Sequence, residues 1–122
     1  VMLDSRKIER RILREYYRAA DLLLSTSTAE GIGLPLYEAQ ACGCPVVAPR
    51  HTSIEEVVGF GELVEPSHRI VSAFGNSYRY FVDPGSVADA LRRNVGTRRM
   101  RPKDVRFESW AQPVAKLLEG LA

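Results

Sequence analysis

Several absences narrow the class of protein. No apolar run approaches the roughly 18 residues of a membrane-spanning helix, and no basic leader with a long apolar stretch precedes the first helical pattern. Cys42 and Cys44 lie too close for an ordinary disulfide, and no Cys or His pair has zinc-site spacing. No Asp-x-Asp pair is present. We therefore expect a soluble, cytoplasmic protein with buried or half-buried thiols, no bound metal and no cofactor.

The chain is also short. Its 122 residues allow one domain with a single core and leave no room for a second domain. With 45% hydrophobic and 26% charged residues, its composition is that of a globular domain and not of a disordered one. It begins at Val1, and a helical pattern follows almost at once after Leu3. This start predicts a cut inside a larger protein or an unusual start codon.

Positive charge is concentrated in one segment. The net charge is +2, yet seven of the fifteen residues between Arg92 and Arg106 are Arg or Lys. Such a segment can attract phosphates, an anionic membrane surface or RNA. This segment contains no aromatic residue that could stack on a base, and the next one along the chain is Phe107, so nucleic acid is not an expected partner. The simplest interpretation is a solvated helix end and loop, and a peripheral membrane contact stays open.

Apolar patterns predict alternating helices and strands. Apolar residues at helical spacing predict an amphipathic helix over residues 6–19. They are Ile8, Ile12, Leu13 and Tyr16. Short apolar runs at 21–25 and 45–49 predict strands buried on both faces, and a helix at 35–42 lies between them. A strand, a helix and a strand in this order predict one right-handed crossover of a parallel sheet.

The rest of the chain continues the same plan. In order, the patterns predict a helix at 54–58, a strand at 62–64, a long loop at 66–76, an edge strand at 78–82, a helix through Val87 and Leu91, and a last helix around Trp110. His51 and His68 are both assigned to loops. The predicted architecture is one α/β unit built on a Rossmann-like parallel sheet with flanking helices.

The chemically informative part is a glycine-rich loop between a strand and a helix. In an open parallel sheet, ligands collect at the carboxyl ends of the strands. Gly31 and Gly33 permit close backbone approach, and the amides from Ile32 to Leu36, except that of Pro35, face the start of a helix. This arrangement predicts a site for a phosphate or sugar oxygen. A tight turn can also require these glycines without any ligand.

Two carboxylates accompany this loop. Glu30 lies in the loop and Glu38 about one turn inside the following helix, so both can flank one crevice. A carboxylate is a good acceptor for neighbouring sugar hydroxyls. For Glu38 taken alone, a solvated helix residue or an ion pair with a nearby Arg is the simpler interpretation.

Here the sequence resembles the retaining glycosyltransferases of family 4 (group 1), which have the GT-B fold. The matching residues, in order, are Tyr17-x-x-Ala20-Asp21-Leu22-Leu23-Leu24, Ser27-x-x-Glu30-Gly31-x-Gly33-Leu34-Pro35-x-x-Glu38-Ala39-x-Ala41-Cys42-Gly43-x-Pro45-Val46-Val47 and Ser53-Ile54-x-Glu56-Val57-Val58-Gly59. They run over more than forty residues and include the family's pair of glutamates at Glu30 and Glu38. The resemblance implies the later half of a GT-B C-terminal domain, so that residues 1–122 form a partial domain for binding a nucleotide-sugar donor.

The resemblance also implies roles for single residues. Glu38 would hold the ribose hydroxyls of a nucleotide diphosphate sugar, and Glu30 would lie beside the donor sugar and its leaving phosphate as the catalytic residue. The remaining donor-binding residues would be Ser27, which shapes the strand exit, and Gly31, Ile32, Gly33 and Leu34, which offer backbone amides. The intact protein would transfer a hexosyl group to an acceptor with retention of configuration, commonly written as front-side attack assisted by the departing diphosphate.

Some features depart from the family pattern. Glu55 stands where the family usually has proline, and the segment 67–80 is longer than the usual turn. His51 and His68 do not match the family's catalytic histidine. The family's first strands, with the Arg and Lys that clamp the pyrophosphate, and its acceptor domain have no counterpart in these residues. The isolated chain is therefore expected to bind donor weakly and to be inactive.

The same residues leave two alternative functions open and predict one oligomeric state. The chain could be a noncatalytic nucleotide-binding or interaction module that uses the basic segment between Arg92 and Arg106. It could also be an unrelated Rossmann-like protein that responds to phosphate or nucleotide, although Leu36 stands where a dinucleotide fingerprint has its third glycine. Without the leading strands, one edge of the sheet is unpaired, which predicts a homodimer.

Overall fold

Up to residue 64, the helices and strands follow the alternating α/β order that the sequence predicts. The structure is a computed structural model, and it describes residues 8–73, 75 and 77–96. The elements of these residues are α1 Arg10–Ala19, β1 Leu23–Leu24, α2 Leu34–Ala41, β2 Val46–Pro49, α3 Ile54–Val57, β3 Gly61–Val64, β4 Pro66–Ser72, β5 Ser77–Val82 and α4 Pro84–Asn94. Within this part of the chain, no helix is long and apolar enough to cross a membrane. The predicted helix around Trp110 lies outside the described residues.

Strands β1, β2 and β3 form a parallel sheet in that order. Leu23 pairs with Val46, and Val46 pairs in turn with Gly61 on the other side. Each residue of β2 is buried, as its continuous apolar run predicts for a central strand that is covered on both faces. The fold class is therefore confirmed as α/β, with a Rossmann-like parallel sheet and flanking helices.

Each face of this sheet has its own core, because alternate side chains of β2 point to opposite faces. The first core consists of Leu36, Ala39, Cys44, Val46, Ala48, Ile54 and Val57. Val47 points the other way and packs with Val64 and with Ala90 of α4. Helices therefore cover both faces of one parallel sheet, as a doubly wound domain requires.

Helix α1 differs from its prediction in where it begins and in which face it packs. It begins at Arg10, later than predicted, and Ile8 is not helical. Ile12 and Tyr16 of the expected apolar face are 43% and 42% exposed. Tyr17 instead lies against the first core. The apolar spacing predicted a helix correctly, and Leu13 of the predicted face is half-buried. The packed face is rotated toward Tyr17 because tertiary packing decides which side of a helix is covered.

Helix α2 has the start and stop signals that the sequence predicts. Pro35 lies in its first turn, where a missing N–H costs nothing. Gly33 precedes the helix with a φ of 72°, and Gly43 follows it with a φ of 78°. Glycine is favoured at both angles because a side chain would clash with the backbone there. The turn on each side of α2 is thus set by local sequence.

Gln40 ties α2 to the segment that leads into β3. It is 2% exposed. Its Nε2 donates to the carbonyls of Leu36 and Val57, both at 3.0 Å, and its Oε1 accepts from the amides of Gly59 and Phe60 at 2.8 and 2.9 Å. A primary amide has two N–H donors and two lone pairs, so this buried side chain is fully satisfied.

The segment 66–76, predicted as a loop, is instead a strand over most of its length. Strand β4 pairs antiparallel with β5 in a separate two-stranded sheet. Residues 67–71 are all exposed, so no buried face leaves an apolar alternation in the sequence. Cross-strand pairs hold the two strands together, as in the stack of His68 on Phe81 at 5.0 Å. The assignment of His68 to a loop was wrong for the same reason.

Strand β5 confirms the strand predicted at 78–82 and gives it a different neighbour. It runs over Ser77–Val82 and pairs with β4, not with the parallel sheet. We call β4 and β5 together the hairpin. Of the segment 67–80, which was expected to exceed the family's usual turn, residues 67–72 and 77–80 lie within this hairpin.

Helix α4 is confirmed, and the described arginines of the basic segment are paired. The Asp83 side chain caps the helix by accepting from the Ser86 amide at 2.8 Å. Arg92 contacts Asp89 at 2.6 Å, and Arg93 contacts Glu62 of β3 at 2.6 Å. The rest of the basic segment lies outside the described residues.

Strand β1 is an edge of the parallel sheet in the part of the chain that the structure describes. It is two residues long, and Leu24 is 39% exposed. An exposed edge can pair with another chain. The homodimer therefore stays a prediction.

The thiols are placed as expected. Cys42 is half-buried, Cys44 is buried, and neither forms a disulfide. Burial raises the pKa of the Cys42 thiol, so this side chain stays protonated at neutral pH. Both cysteines therefore act as small apolar residues.

Replacement of Gly61 by alanine should disrupt the sheet. Gly61 has a φ of 131°, and an added Cβ would lie 1.8 Å from the carbonyl oxygen of Val46 in β2. We expect Gly61→Ala to lose more than about 4 kcal/mol of unfolding free energy, or not to fold. Denaturant unfolding followed by circular dichroism measures this loss.

The matched control is Gly75→Ala. Gly75 also has a positive φ, of 80°, but an added Cβ would meet no atom within 4 Å. Backbone strain alone should cost about 1–2 kcal/mol there. Equal losses for the two variants would contradict the close approach of β2 and β3 at Gly61.

Candidate functional site

The candidate site lies at the carboxyl ends of β1 and β2. Parallel strands bring their carboxyl ends to the same edge, and loops that leave this edge form ligand sites in open α/β sheets. Residues 27–34, here called the glycine loop, follow β1 and lead into α2. Residues 50–53, here called the β2 loop, follow β2. The hydrogen bonds of the parallel sheet continue one residue beyond each strand. The Ser25 amide donates to the Val47 carbonyl at 2.9 Å, and the Arg50 amide donates to the Val64 carbonyl at 2.8 Å.

Backbone amides without partners gather at the start of α2. No hydrogen bond joins the amides of Gly31, Ile32, Gly33 or Leu34 to any acceptor among the described residues. The amide of Leu36 was predicted to face the site too, but it donates to the Gly33 carbonyl at 2.9 Å. This correction follows from helix formation, since a tight first turn closes its own hydrogen bond.

Space is open above the first glycine of this loop. An added Cβ at Gly31 would meet no atom within 4 Å, whereas one at Gly33 would lie 3.1 Å from Leu36. Glycine is therefore required at these two positions for different reasons. Gly33 is needed for its positive φ and for packing, and Gly31 leaves the backbone accessible from outside.

Glu30 is held by its backbone, and its side chain has no polar partner in the part of the chain that the structure describes. Its carbonyl accepts from the hydroxyls of Thr52 at 3.2 Å and Ser53 at 3.4 Å, both in the β2 loop. Its carboxylate makes no hydrogen bond or ion pair with the described residues. No cluster of three or more His, Cys, Asp or Glu that could hold a metal ion occurs in that part of the chain.

Ser27 lies at the exit of β1, as predicted. Its hydroxyl donates to the Ala29 carbonyl at 3.0 Å, and its own carbonyl contacts Nε2 of His51 at 2.9 Å. Because a carbonyl can only accept, Nε2 carries the hydrogen in this bond. Ser27 therefore shapes the glycine loop through its backbone and side chain together.

His51 is the residue that sequence reasoning missed most clearly. It has no regular secondary structure, as predicted, yet it is only 2% exposed. Its ring stacks on Tyr80 of the hairpin at 5.0 Å with an interplanar angle of 9°. One signal was available in the sequence, since His51 comes directly after the buried strand β2, and ligands of open α/β sheets bind at the carboxyl ends of the strands. Tyr80 had no such signal.

Glu38 is paired with a tyrosine and not with an arginine. The hydroxyl of Tyr17 in α1 donates to Oε2 of Glu38 at 3.1 Å. The other oxygen, Oε1, has no partner among the described residues, and Glu38 is exposed. Burial first, and then the charge of Glu38 and its hydrogen bond, raise the pKa of Tyr17 to about 12. One lone-pair edge of the carboxylate is thus fixed by α1 and the other remains available.

The predicted site residues therefore occupy one connected region. Ser27, Glu30, Gly31, Ile32, Gly33 and Leu34 form the glycine loop, and Glu38 follows one turn later on α2. The prediction that Glu30 and Glu38 flank one crevice stays a prediction.

Comparison with known proteins identifies relatives of this region. The chain matches the family described as glycosyl transferases group 1 over residues 6–94. A D-inositol 3-phosphate glycosyltransferase of Acidothermus cellulolyticus is 39% identical over 88 residues, which cover 68% of this chain and 19% of that protein. A D-inositol 3-phosphate glycosyltransferase of Geodermatophilus obscurus is 33% identical over 115 residues, which cover 88% of this chain and 22% of that protein.

A shorter match reaches a different transferase. O-antigen chain mannosyltransferase B of Escherichia coli is 50% identical over 48 residues, which cover 39% of this chain and 13% of that protein. No solved structure matches the chain. The chain thus spans about a fifth or less of the length of these curated relatives.

Tyr17 should titrate later than an ordinary tyrosine. Its folded-state pKa of about 12 exceeds the value of 10.0 expected for the unfolded chain. The stability linked to this difference is therefore fully present below pH 10 and is lost as the pH rises through about 12. Ultraviolet titration of the five tyrosines should show one late component.

Two variants assign this component. Tyr17→Phe should remove it, and Glu38→Gln should move it part of the way toward the ordinary value, because burial remains. A late component that is the same in Glu38→Gln would contradict the pairing of Tyr17 with Glu38.

Proposed function

The chain belongs to the group 1 glycosyl transferases, and from that premise we propose that it forms part of the donor site of a retaining enzyme. This enzyme transfers a hexosyl group from a nucleotide diphosphate sugar to an acceptor. One observation carries the proposal: the amides of Gly31 to Leu34, which have no partner among the described residues, lie together at the start of α2. Such amides, with the helix dipole behind them, favour a phosphate or a negatively charged oxygen.

The carboxylates suit the sugar ends of such a donor. Oε1 of Glu38 is free to accept from ribose hydroxyls while Tyr17 holds Oε2. Glu30 has a fixed carbonyl and an unpaired carboxylate, so its side chain can face the transferred sugar. The names of the relatives support transfer of a glycosyl group, since two of them are D-inositol 3-phosphate glycosyltransferases and one is a mannosyltransferase.

The proposed chemistry needs charge stabilisation more than a strong base. As the bond between the anomeric carbon and the phosphate oxygen breaks, negative charge grows on the departing diphosphate. Amides already aimed at this position stabilise the charge without reorganisation. The acceptor oxygen forms its bond from the same side, and its proton passes to the departing diphosphate. The residues of this chain therefore position the donor and stabilise the leaving group.

Glu38→Gln should weaken nucleotide binding. Calorimetric titration of the 122-residue chain with the diphosphates of adenosine, guanosine, uridine, cytidine and thymidine measures this. Loss of a charged hydrogen-bond acceptor should weaken the best-bound diphosphate by roughly 10- to 100-fold. The control is Asp89→Asn on α4, which changes an exposed carboxylate on a helix that packs on the opposite face of the sheet from α2, and it should bind as the wild type does. Equal binding by both variants, or no binding by the wild type, counts against the proposal.

Gly31→Ala should separate function from folding. The added methyl meets no atom within 4 Å, so the unfolding free energy should stay within about 1 kcal/mol of the wild type. The methyl would occupy the open space above the amides, so diphosphate binding should fall by about tenfold or more.

The matched control is Gly59→Ala. Its added Cβ would have an ordinary contact with Gln40 at 3.9 Å, and Gly59 lies away from the glycine loop. Unfolding and titration are measured on both variants. Wild-type affinity in Gly31→Ala would show that no ligand approaches the backbone closely at this residue.

A further inference from the structure

Two neighbouring segments of the chain hydrogen-bond to the backbone of the glycine loop. Three hydrogen bonds come from the β2 loop: His51 to the Ser27 carbonyl at 2.9 Å, Thr52 to the Glu30 carbonyl at 3.2 Å, and Ser53 to the same carbonyl at 3.4 Å. A fourth comes from the hairpin, where the Tyr80 amide donates to the Thr28 carbonyl at 2.9 Å. The carbonyls of residues 27, 28 and 30 are thus held one after another.

The contact between His51 and Tyr80 couples these two segments. His51 is buried, and the stacked ring of Tyr80 covers it at 5.0 Å. Offset stacking of this kind adds to the apolar contact between the rings. Covering the imidazole also keeps water from its bond to Ser27, which strengthens that bond. The hairpin therefore acts on the glycine loop both directly, through the Tyr80 amide, and through His51.

The backbone of Thr52 is in an uncommon conformation. Its φ is 43°, which a β-branched residue rarely adopts. Such strain costs about 1–3 kcal/mol and persists only where surrounding contacts enforce it. Here the Thr52 hydroxyl contacts both the Glu30 carbonyl and Nδ1 of His51, at 3.2 and 3.1 Å. The conformation of Thr52 is thus tied to the hydroxyl that holds Glu30.

We propose that the hairpin is a working part of the donor site, with Tyr80, His51 and Thr52 as positioning residues for Glu30. They fix the backbone of residues 27–30, which sets the direction of the Glu30 carboxylate and the position of the amides that follow. The hydrogen bonds to the glycine loop do not depend on the proposed function; only the statement that they serve donor binding rests on it. All three residues act through the backbone of the glycine loop.

Tyr80→Leu should loosen the glycine loop while the hairpin remains paired. Nitrogen-15 relaxation of the unliganded 122-residue chain measures this. The order parameters of the amides from Ala29 to Gly33 should fall from about 0.85 to below about 0.6. Affinity for the best-bound nucleoside diphosphate should fall by about 3- to 10-fold. Tyr80→Phe keeps the ring and the amide, and should restore both quantities to wild-type values.

Phe81→Leu is the matched control on the other face of the same strand. Phe81 stacks on His68 at 5.0 Å with an interplanar angle of 5°, so the variant removes an equivalent ring pair that does not contact the β2 loop. It should leave the order parameters of the glycine loop and the affinity unchanged. Equal effects of Tyr80→Leu and Phe81→Leu would overturn the proposal, because they would show only a general contribution of the hairpin to stability.

Thr52→Val keeps the proposal testable if Tyr80→Leu does not fold. Valine has nearly the same shape as threonine but cannot donate to the Glu30 carbonyl. The same fall in the order parameters is expected, and rigid amides in this variant would overturn the role of Thr52. Because relaxation is measured without ligand, it tests the positioning even if no diphosphate binds. Absence of binding by the wild type would refute the proposed function alone.

Discussion

Strand β2 is hydrogen-bonded to a parallel neighbour on each side and buried on both faces, and the other elements are arranged around it. Its alternate side chains supply both cores, so helices on both sides of the sheet depend on one four-residue strand. The side toward β3 is especially restricted, since Gly61 approaches the backbone of Val46 too closely for any side chain. Because pairing also fixes where β1 and β2 end, the same constraint brings the glycine loop and the β2 loop together.

Gln40 extends this constraint to the helix that begins at the site. An apolar residue could fill the same space, but it would leave the amides of Gly59 and Phe60 without their acceptor. The fully satisfied amide therefore fixes both the rotation of α2 and the entry to β3. Since the glycine loop runs directly into α2, a fixed helix also fixes where the loop ends. Two buried side chains, His51 and Gln40, thus hold the two ends of the glycine loop without using the amides of Gly31 to Leu34.

Local signals predicted the elements of the parallel sheet, and tertiary contacts decided what could not be predicted. The apolar run of β2 and the Pro35 and Gly43 signals of α2 are local, so these elements were predicted within a residue or two. The strand β4 was missed because its exposed residues carry no burial pattern and are held by pairing with β5. In the candidate site, the glycines and glutamates were predicted from the motif. His51 and Tyr80 were not found, because they lie 29 residues apart in the sequence.

The glycine loop combines a backbone held by hydrogen bonds with functional groups that have no partner among the described residues. Its carbonyls accept hydrogen bonds from the β2 loop and the hairpin, while the amides from Gly31 to Leu34 have no partner in the described part of the chain. The Glu30 residue shows the same division, with a held carbonyl and an unpaired carboxylate. Donors left unpaired in a fixed position need no reorganisation when a charged ligand arrives, so their interaction energy goes into binding. If the glycine loop were held through its amides, no donor would be left for a ligand. If neither its carbonyls nor its amides were held, part of the binding free energy would be lost to the entropy of ordering the loop.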